Sequence, residues 1–168
     1  MKIAIIGYSG SGKSTLAGYL GEKYQVSVMY LDSVYWLPGW KSREREEYAG
    51  IVKNFLDTNN SWVIDGNYTH AEYDRRMEEA DEIIFMNFNR LSCLYRAVKR
   101  YFQYRGKSRA SMTVGCQEKM DIEFIWWILH AGRTRKTKKH YRDVLQRYKA
   151  KVTVIRNQRE LAKYMNER

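Results

Sequence analysis

One proline, Pro38, stands in 168 residues. That scarcity argues against proline-rich linkers and low-complexity tails. Two cysteines, Cys93 and Cys116, are too few for a disulfide framework or a zinc set. His70, His130 and His140 have no metal-ligand spacing and read as structural. The longest nearly apolar run, residues 124–129, falls short of the ~20 residues a membrane helix needs. The opening MKIAIIGYSG lacks a signal-peptide layout. Together these absences lead us to expect a reduced, cytoplasmic protein with no membrane partner. What is present is globular in character, since apolar residues make up 44% of the chain and charged residues 29%. The length suits one domain, 1–168, with a core that needs no staples.

Charge is divided unevenly between the two halves of the chain. Residues 1–89 carry a net −4 and residues 90–168 a net +15, within an overall +11. Such asymmetry points to an anionic partner for the C-terminal half. Two partners fit: a small polyphosphate gripped by a few arginines, or a nucleic-acid backbone. A solvated basic face that aids solubility accounts for the charge equally well.

Apolar runs and helical stretches alternate along the chain. Residues 2–6, 26–31, 61–65, 82–88 and 151–155 read as five buried strands. Helices are expected over 13–23, 71–80, 90–104 and 158–166, with a mostly helical stretch over 120–150 broken near Gly132. Another helix starts at Ser42, ahead of Glu46 and Glu47, and carries Tyr48, Ile51, Val52 and Phe55 on one face. Residues 32–40 and 105–119 read as loops. Leu91, Leu94, Tyr95, Val98 and Phe102 form an apolar stripe, and Phe124, Trp126 and Trp127 are expected in the core. This alternation predicts a parallel sheet covered on both faces.

The strongest motif is Gly7-Tyr-Ser-Gly-Ser-Gly-Lys13-Ser14, which fits G-x-x-x-x-G-K-[ST] between a strand and a helix. Gly7, Ser9, Gly10, Ser11, Gly12 and Thr15 belong to the same loop. Its amides must converge on phosphate oxygens, and side chains at the glycines would block that approach. The following helix aims its positive end at the same point. Lys13 is placed to reach the β- and γ-phosphates of ATP, and Ser14 to offer a hydroxyl to Mg²⁺.

Asp32 and Asp65 each end a strand, at the sheet edge where ligands bind in α/β folds. Mg²⁺ favours carboxylates, water and phosphate oxygens, so Asp65 could join Ser14 at the metal. Asp32 could orient an acceptor hydroxyl or take its proton. Tyr35, Trp36 and Trp40 stand beside Asp32 as an aromatic wall for a ring-bearing acceptor.

Arg96 and Arg100 share a helix face, Arg90 opens that helix, and Arg105 and Arg109 lie in the loop after it. At least two of the five are expected on phosphate, where guanidinium forks neutralise transferring charge. Residues 90–119 would form the lid, with Lys99 and Lys107 on its solvated face. The lysine-rich run 133–142 reads as either a solvated helix face or a nucleic-acid patch. Asn157, after the last strand, could pack on the adenine.

Residues 7–14, Tyr-Leu-Asp at 30–32 with Trp40, Trp-Val-Ile-Asp-Gly-Asn-Tyr at 62–68, and Asn-Arg-Leu-Ser-Cys-Leu-Tyr-Arg at 89–96 resemble the P-loop nucleoside-monophosphate kinase superfamily. Within it, the chain is similar to the bacterial adenylate-kinase-like proteins labelled DNA topology modulation proteins. The resemblance implies a three-layer α/β fold with a five-stranded parallel sheet in the order 2-3-1-4-5, a helical lid, and use of ATP with Mg²⁺. It also places Asn67 and Tyr68 at the substrate side. Adenylate kinases have Phe-Pro-Arg where this chain has Asn67, Tyr68 and Thr69, so AMP does not carry over as the acceptor. The expected function is transfer of the γ-phosphate of Mg-ATP to a nucleoside, a nucleotide or another hydroxylated metabolite, by a monomer or homodimer. The alternative is a nucleotide-responsive, sequence-blind DNA-binding protein.

Overall fold

The computed structural model describes residues 1–106, 109, 111–118 and 120–167, so Lys107 and part of the expected lid lie outside the described residues. Five strands build the main sheet: β1 (Lys2–Gly7), β2 (Ser27–Tyr30), β5 (Trp62–Asp65), β6 (Glu82–Met86) and β7 (Val152–Ile155). They run parallel in the order β2-β5-β1-β6-β7. Counted among these five alone, that is the expected 2-3-1-4-5. The labels shift because β3 (Trp36–Leu37) and β4 (Lys41–Ser42) pair as a small antiparallel hairpin inside and just beyond the stretch read as loop. The one-turn helix α2 (Leu31–Tyr35) precedes that hairpin and occupies the start of the same stretch. Both elements are too short for periodicity to reveal.

Every residue of β5 and β6 is buried, as sheets covered on both faces require. Register aligns Ile5 with Asp65, Tyr30 with Asp65, Gly7 with Met86, and Met86 with Ile155. The C-terminal strand ends therefore form one edge, and the loops that leave it share one side of the molecule.

Five longer helices and α4 (Tyr73–Glu79) connect the strands, and one more helix follows the last strand. In α1 (Lys13–Tyr24), Leu16, Ala17 and Leu20 turn inward. Then α3 (Arg45–Thr58) buries Tyr48, Val52 and Leu56, one turn apart. Three caps follow one pattern: Asn89 accepts from the Ser92 amide to start α5 (Arg90–Tyr104), Asp121 from Phe124 for α6 (Ile122–Leu129), and Thr134 from Thr137 for α7 (Arg135–Arg147). The expected break at Gly132 is a 3-10 turn, Ala131–Arg133. The last helix is α8 (Gln158–Glu167).

Part of the α5 apolar stripe and two of the three aromatics expected in the core lie at the surface, while Leu94 and Phe124 pack against the core. Leu91, Tyr95 and Phe102 of α5 face solvent, Tyr95 being 69% exposed. Trp126 and Trp127 are 59% and 50% exposed, because α6 lies across the ligand edge instead of under the sheet. Among the described residues, no helix is long and apolar enough to cross a membrane.

Candidate active site

The loop from Gly7 to Ser14 leaves β1 at the shared edge and wraps the start of α1. Gly10 has φ +78°, and a Cβ there would sit 2.4 Å from the Cys93 carbonyl oxygen. Gly12 has φ +95° and faces an Arg96 nitrogen 2.8 Å from its Cβ position. Glycine is therefore required at Gly10 by conformation and by space, and at Gly12 by conformation. No acidic side chain sits in the first turn of α1, so its positive end stays open to an anion. Lys13 donates from Nζ to the Tyr8 carbonyl at 3.1 Å. Ser11 is fully buried, and its Oγ has no hydrogen-bond partner among the described residues. Ser9 accepts from the Trp127 indole at 3.1 Å, while Thr15 is exposed on the first turn of α1.

Asp65 is 4% exposed at the end of β5. Its Oδ2 accepts from the Ser14 hydroxyl at 2.6 Å, while Oδ1 is buried without a partner among the described residues. Burial pushes this carboxyl up to about 6; Asp32 acts in the same sense, and Lys13, Ser14 and Arg109 pull it back. The two residues expected at a metal are thus in direct contact, with a spare carboxylate oxygen beside a lysine ammonium. That donor set suits Mg²⁺, which takes few protein ligands and keeps water and phosphate oxygens. No group of three or more His, Cys, Asp or Glu that could hold a metal alone occurs among the described residues.

Asp32 lies in the first turn of α2, exposed, and accepts from the Tyr68 hydroxyl at 2.8 Å. Burial, then the Asp32 charge, drives the Tyr68 phenol far above its ordinary value, so it stays a proton donor. Tyr35 packs against Tyr68 with ring centroids 4.9 Å apart, and Trp36 against Trp40 at 5.6 Å. The aromatic wall expected beside Asp32 is therefore assembled, with Tyr48 and His70 closing it from behind. The Thr113 hydroxyl lies between the Ser33 and Trp36 carbonyls, at 2.7 and 2.5 Å. Cys116 reaches the Leu37 carbonyl at 3.2 Å. Residues 111–118 are thereby clasped to the Asp32 segment.

The arginines separate. Arg96 donates to the Ser11 carbonyl at 3.2 Å and to Gln158, and stacks on Phe88 at 4.3 Å. Arg100 donates to Glu118 at 3.1 Å, and Arg109 forms an ion pair with the other oxygen of that carboxylate. Burial, then Arg109, holds the Arg100 guanidinium below its ordinary value. Arg105 caps the end of α5 at the surface. Arg90 opens onto a different cleft, away from Lys13.

Two further placements differ from expectation. Asn67 does not present its amide to a substrate; it accepts from the Gly7 amide at 2.9 Å and donates to the Gly7 carbonyl at 2.6 Å. It braces the loop. Asn157 caps α8, accepting from the Glu160 amide and donating to the Glu160 carboxylate, both at 2.9 Å. With both ends of its amide engaged, the neighbouring Gln158 reaches the loop side instead.

Sequence reasoning missed several residues that shape the site. Arg76 is wholly buried and donates to the carbonyls of Ala71, Gly66 and Tyr68 at 2.8, 3.2 and 2.6 Å. Burial pushes it down to about 10, so it stays charged at neutral pH. Arg133 stacks over the Tyr8 ring at 3.6 Å and donates to the Phe88 carbonyl at 2.8 Å. Its signal was an arginine opening a lysine-rich run. Glu118 and Gln158 gave no signal at all.

The fold and loop define an α/β protein with a P-loop and a kinase-like fold. Residues 3–124 match the family described as AAA domain, and the chain belongs to that family. Among solved structures it is similar to deoxyadenosine kinase from M. mycoides with bound dATP. The two share 15% identity with a TM-score of 0.54, over 99% of this chain and 98% of that one. That likeness concerns the fold. No curated protein sequence matches the chain.

Proposed function

We propose that the protein is a phosphotransferase that uses Mg-ATP to phosphorylate a hydroxyl of a small acceptor. In this reading the whole chain acts as one kinase unit, with α5 and the segment after it as its lid. The observation that carries it is the Ser14–Asp65 contact of 2.6 Å beside Lys13, within a loop whose Gly10 and Gly12 take positive φ at the start of α1. Asp32 lies at the same sheet edge, close enough to raise the Asp65 carboxyl.

Each group then has a task. The loop amides and the start of α1 hold the phosphates. Lys13 leaves the Tyr8 carbonyl for a phosphate oxygen, a stronger acceptor. Ser14 and Asp65 would hold Mg²⁺, which supplies positive charge to the phosphates during transfer. Arg96 and Arg100 neutralise charge on the equatorial oxygens. Asp32, oriented by Tyr68, accepts the acceptor hydroxyl proton as the new O–P bond forms and the bond to ADP breaks. Tyr35, Trp36 and Trp40 suit an acceptor with a flat ring. The fold shared with a deoxyadenosine kinase puts nucleosides first among the acceptors to test.

A coupled ADP-release screen over nucleosides, nucleotides and small hydroxylated metabolites tests the reading. We expect acceptor-dependent ADP release that Lys13→Ala abolishes and Asp32→Asn lowers by about a hundredfold or more, a typical loss for a general base. Release that ignores every acceptor, or a fully active Asp32→Asn enzyme, removes the reading or the role respectively.

A further inference from the structure

A second cleft of about 780 Å³ opens on the other flank of the phosphate loop, between the start of α5 and the face of α7. Of the loop, only Tyr8 lines it; Lys13, Ser14 and Asp65 do not. Its charged lining is Arg90, Arg133, Lys138 and Arg142, with no carboxylate among the lining residues. These four come from three separate elements and surround one concavity.

Some surface cations elsewhere are matched by carboxylates. Arg75 pairs with Asp57 and Glu79, Arg147 with Glu78, Lys2 with Glu79 and Arg43 with Glu47. Arg90, Lys138 and Arg142 form no ion pair among the described residues. Unpaired cations facing one another across a hollow repel, and a bound anion relieves that repulsion. The volume falls within the ~300–1,000 Å³ range of small-molecule sites. Two guanidinium groups and an ammonium at its rim suit a ligand with several phosphate oxygens.

We propose that this cleft is a second anion site, which takes a compact ligand carrying two or more linked phosphates. It is separate from the nucleotide loop yet touches it, because Arg133 rests on Tyr8 at 3.6 Å. Convergence on one hollow favours a compact ligand over a nucleic-acid strand, which requires cations set along a track.

Calorimetric titration of the full chain with inorganic tripolyphosphate, at near-physiological salt, tests this. Two sites are expected in the unaltered protein. Lys13→Ala removes the site at the loop, and Lys138→Ala/Arg142→Ala weakens the other by about tenfold or more. Both altered residues are exposed on α7, and circular dichroism verifies that the double variant keeps its fold. A single site, lost with Lys13 and indifferent to Lys138 and Arg142, overturns the proposal. So does a second site from which oligothymidylate displaces tripolyphosphate more strongly as the oligomer lengthens, since that marks a nucleic-acid surface. The Lys13 arm reports on the kinase reading and the α7 arm on this one, so the two fail separately.

Discussion

Asp65 concentrates the tension between stability and chemistry. An ionised carboxylate with one unpaired oxygen is held at 4% exposure beside Ser14 and Lys13. Its native value, about 6, lies above the ordinary carboxylate value of 3.8. A group raised in this way lends stability that is complete below the unfolded value and lost as pH rises through the native one. Above pH 6 the metal-free protein therefore carries a buried charge at a cost on the order of 3 kcal/mol. In metal-free buffer, Asp65→Asn is expected to unfold at higher denaturant than the unaltered chain at pH 8. At pH 4 the two should nearly coincide. Urea melts at the two pH values check this, and the same variant should have lost phosphotransfer. A variant less stable at pH 8 would show that Lys13, Ser14 and Arg109 outweigh burial.

At the scale of elements, the segment after β5 shows what a sequence can and cannot disclose. Asp65 was legible as a candidate because it ends an apolar strand at the sheet edge where ligands bind, whereas Asn67 and Tyr68 came only from the family resemblance. How the segment is held was not legible. Arg76 lies in a helix of polar sequence, yet it closes three carbonyls of the 66–71 loop. Asn67 meets Gly7, which is 60 positions away in the chain. Such roles depend on which backbone group arrives opposite a side chain after folding, and no local pattern encodes that. The α5 stripe fails for a related reason: periodicity reports an apolar face but not whether another element covers it. Arg76→Met keeps the volume and leaves three carbonyls without their donor. We expect a loss of about 3 kcal/mol in chemical denaturation. A lower kcat should accompany it, because Tyr68 then holds Asp32 less firmly. Unchanged stability would mean water replaces the guanidinium.

Over the whole molecule, the charge asymmetry acquires a spatial meaning. Both carboxylates of the site, Asp32 and Asp65, come from the half with net −4, and the arginines from the half with net +15. Glu118 ties Arg100 and Arg109 together, and Thr113 and Cys116 fasten the same segment to the acidic half. A triphosphate bound at the loop lies between the halves and joins them through its charge, so binding should stabilise the entire fold. Ligand at a hundred times its dissociation constant adds about 2.7 kcal/mol. For a chain of this size that corresponds to a melting-temperature rise of roughly 5–10 °C. Scanning fluorimetry with Mg-ATP should show such a rise, growing with ligand concentration. Lys13→Ala should abolish most of it, because the loop loses its central cation. Lys138→Ala/Arg142→Ala should keep it, because those residues border the other cleft. An unaltered protein whose melting temperature ignores millimolar Mg-ATP would refute nucleotide binding at the loop, and with it the catalytic roles assigned to Asp32 and Asp65.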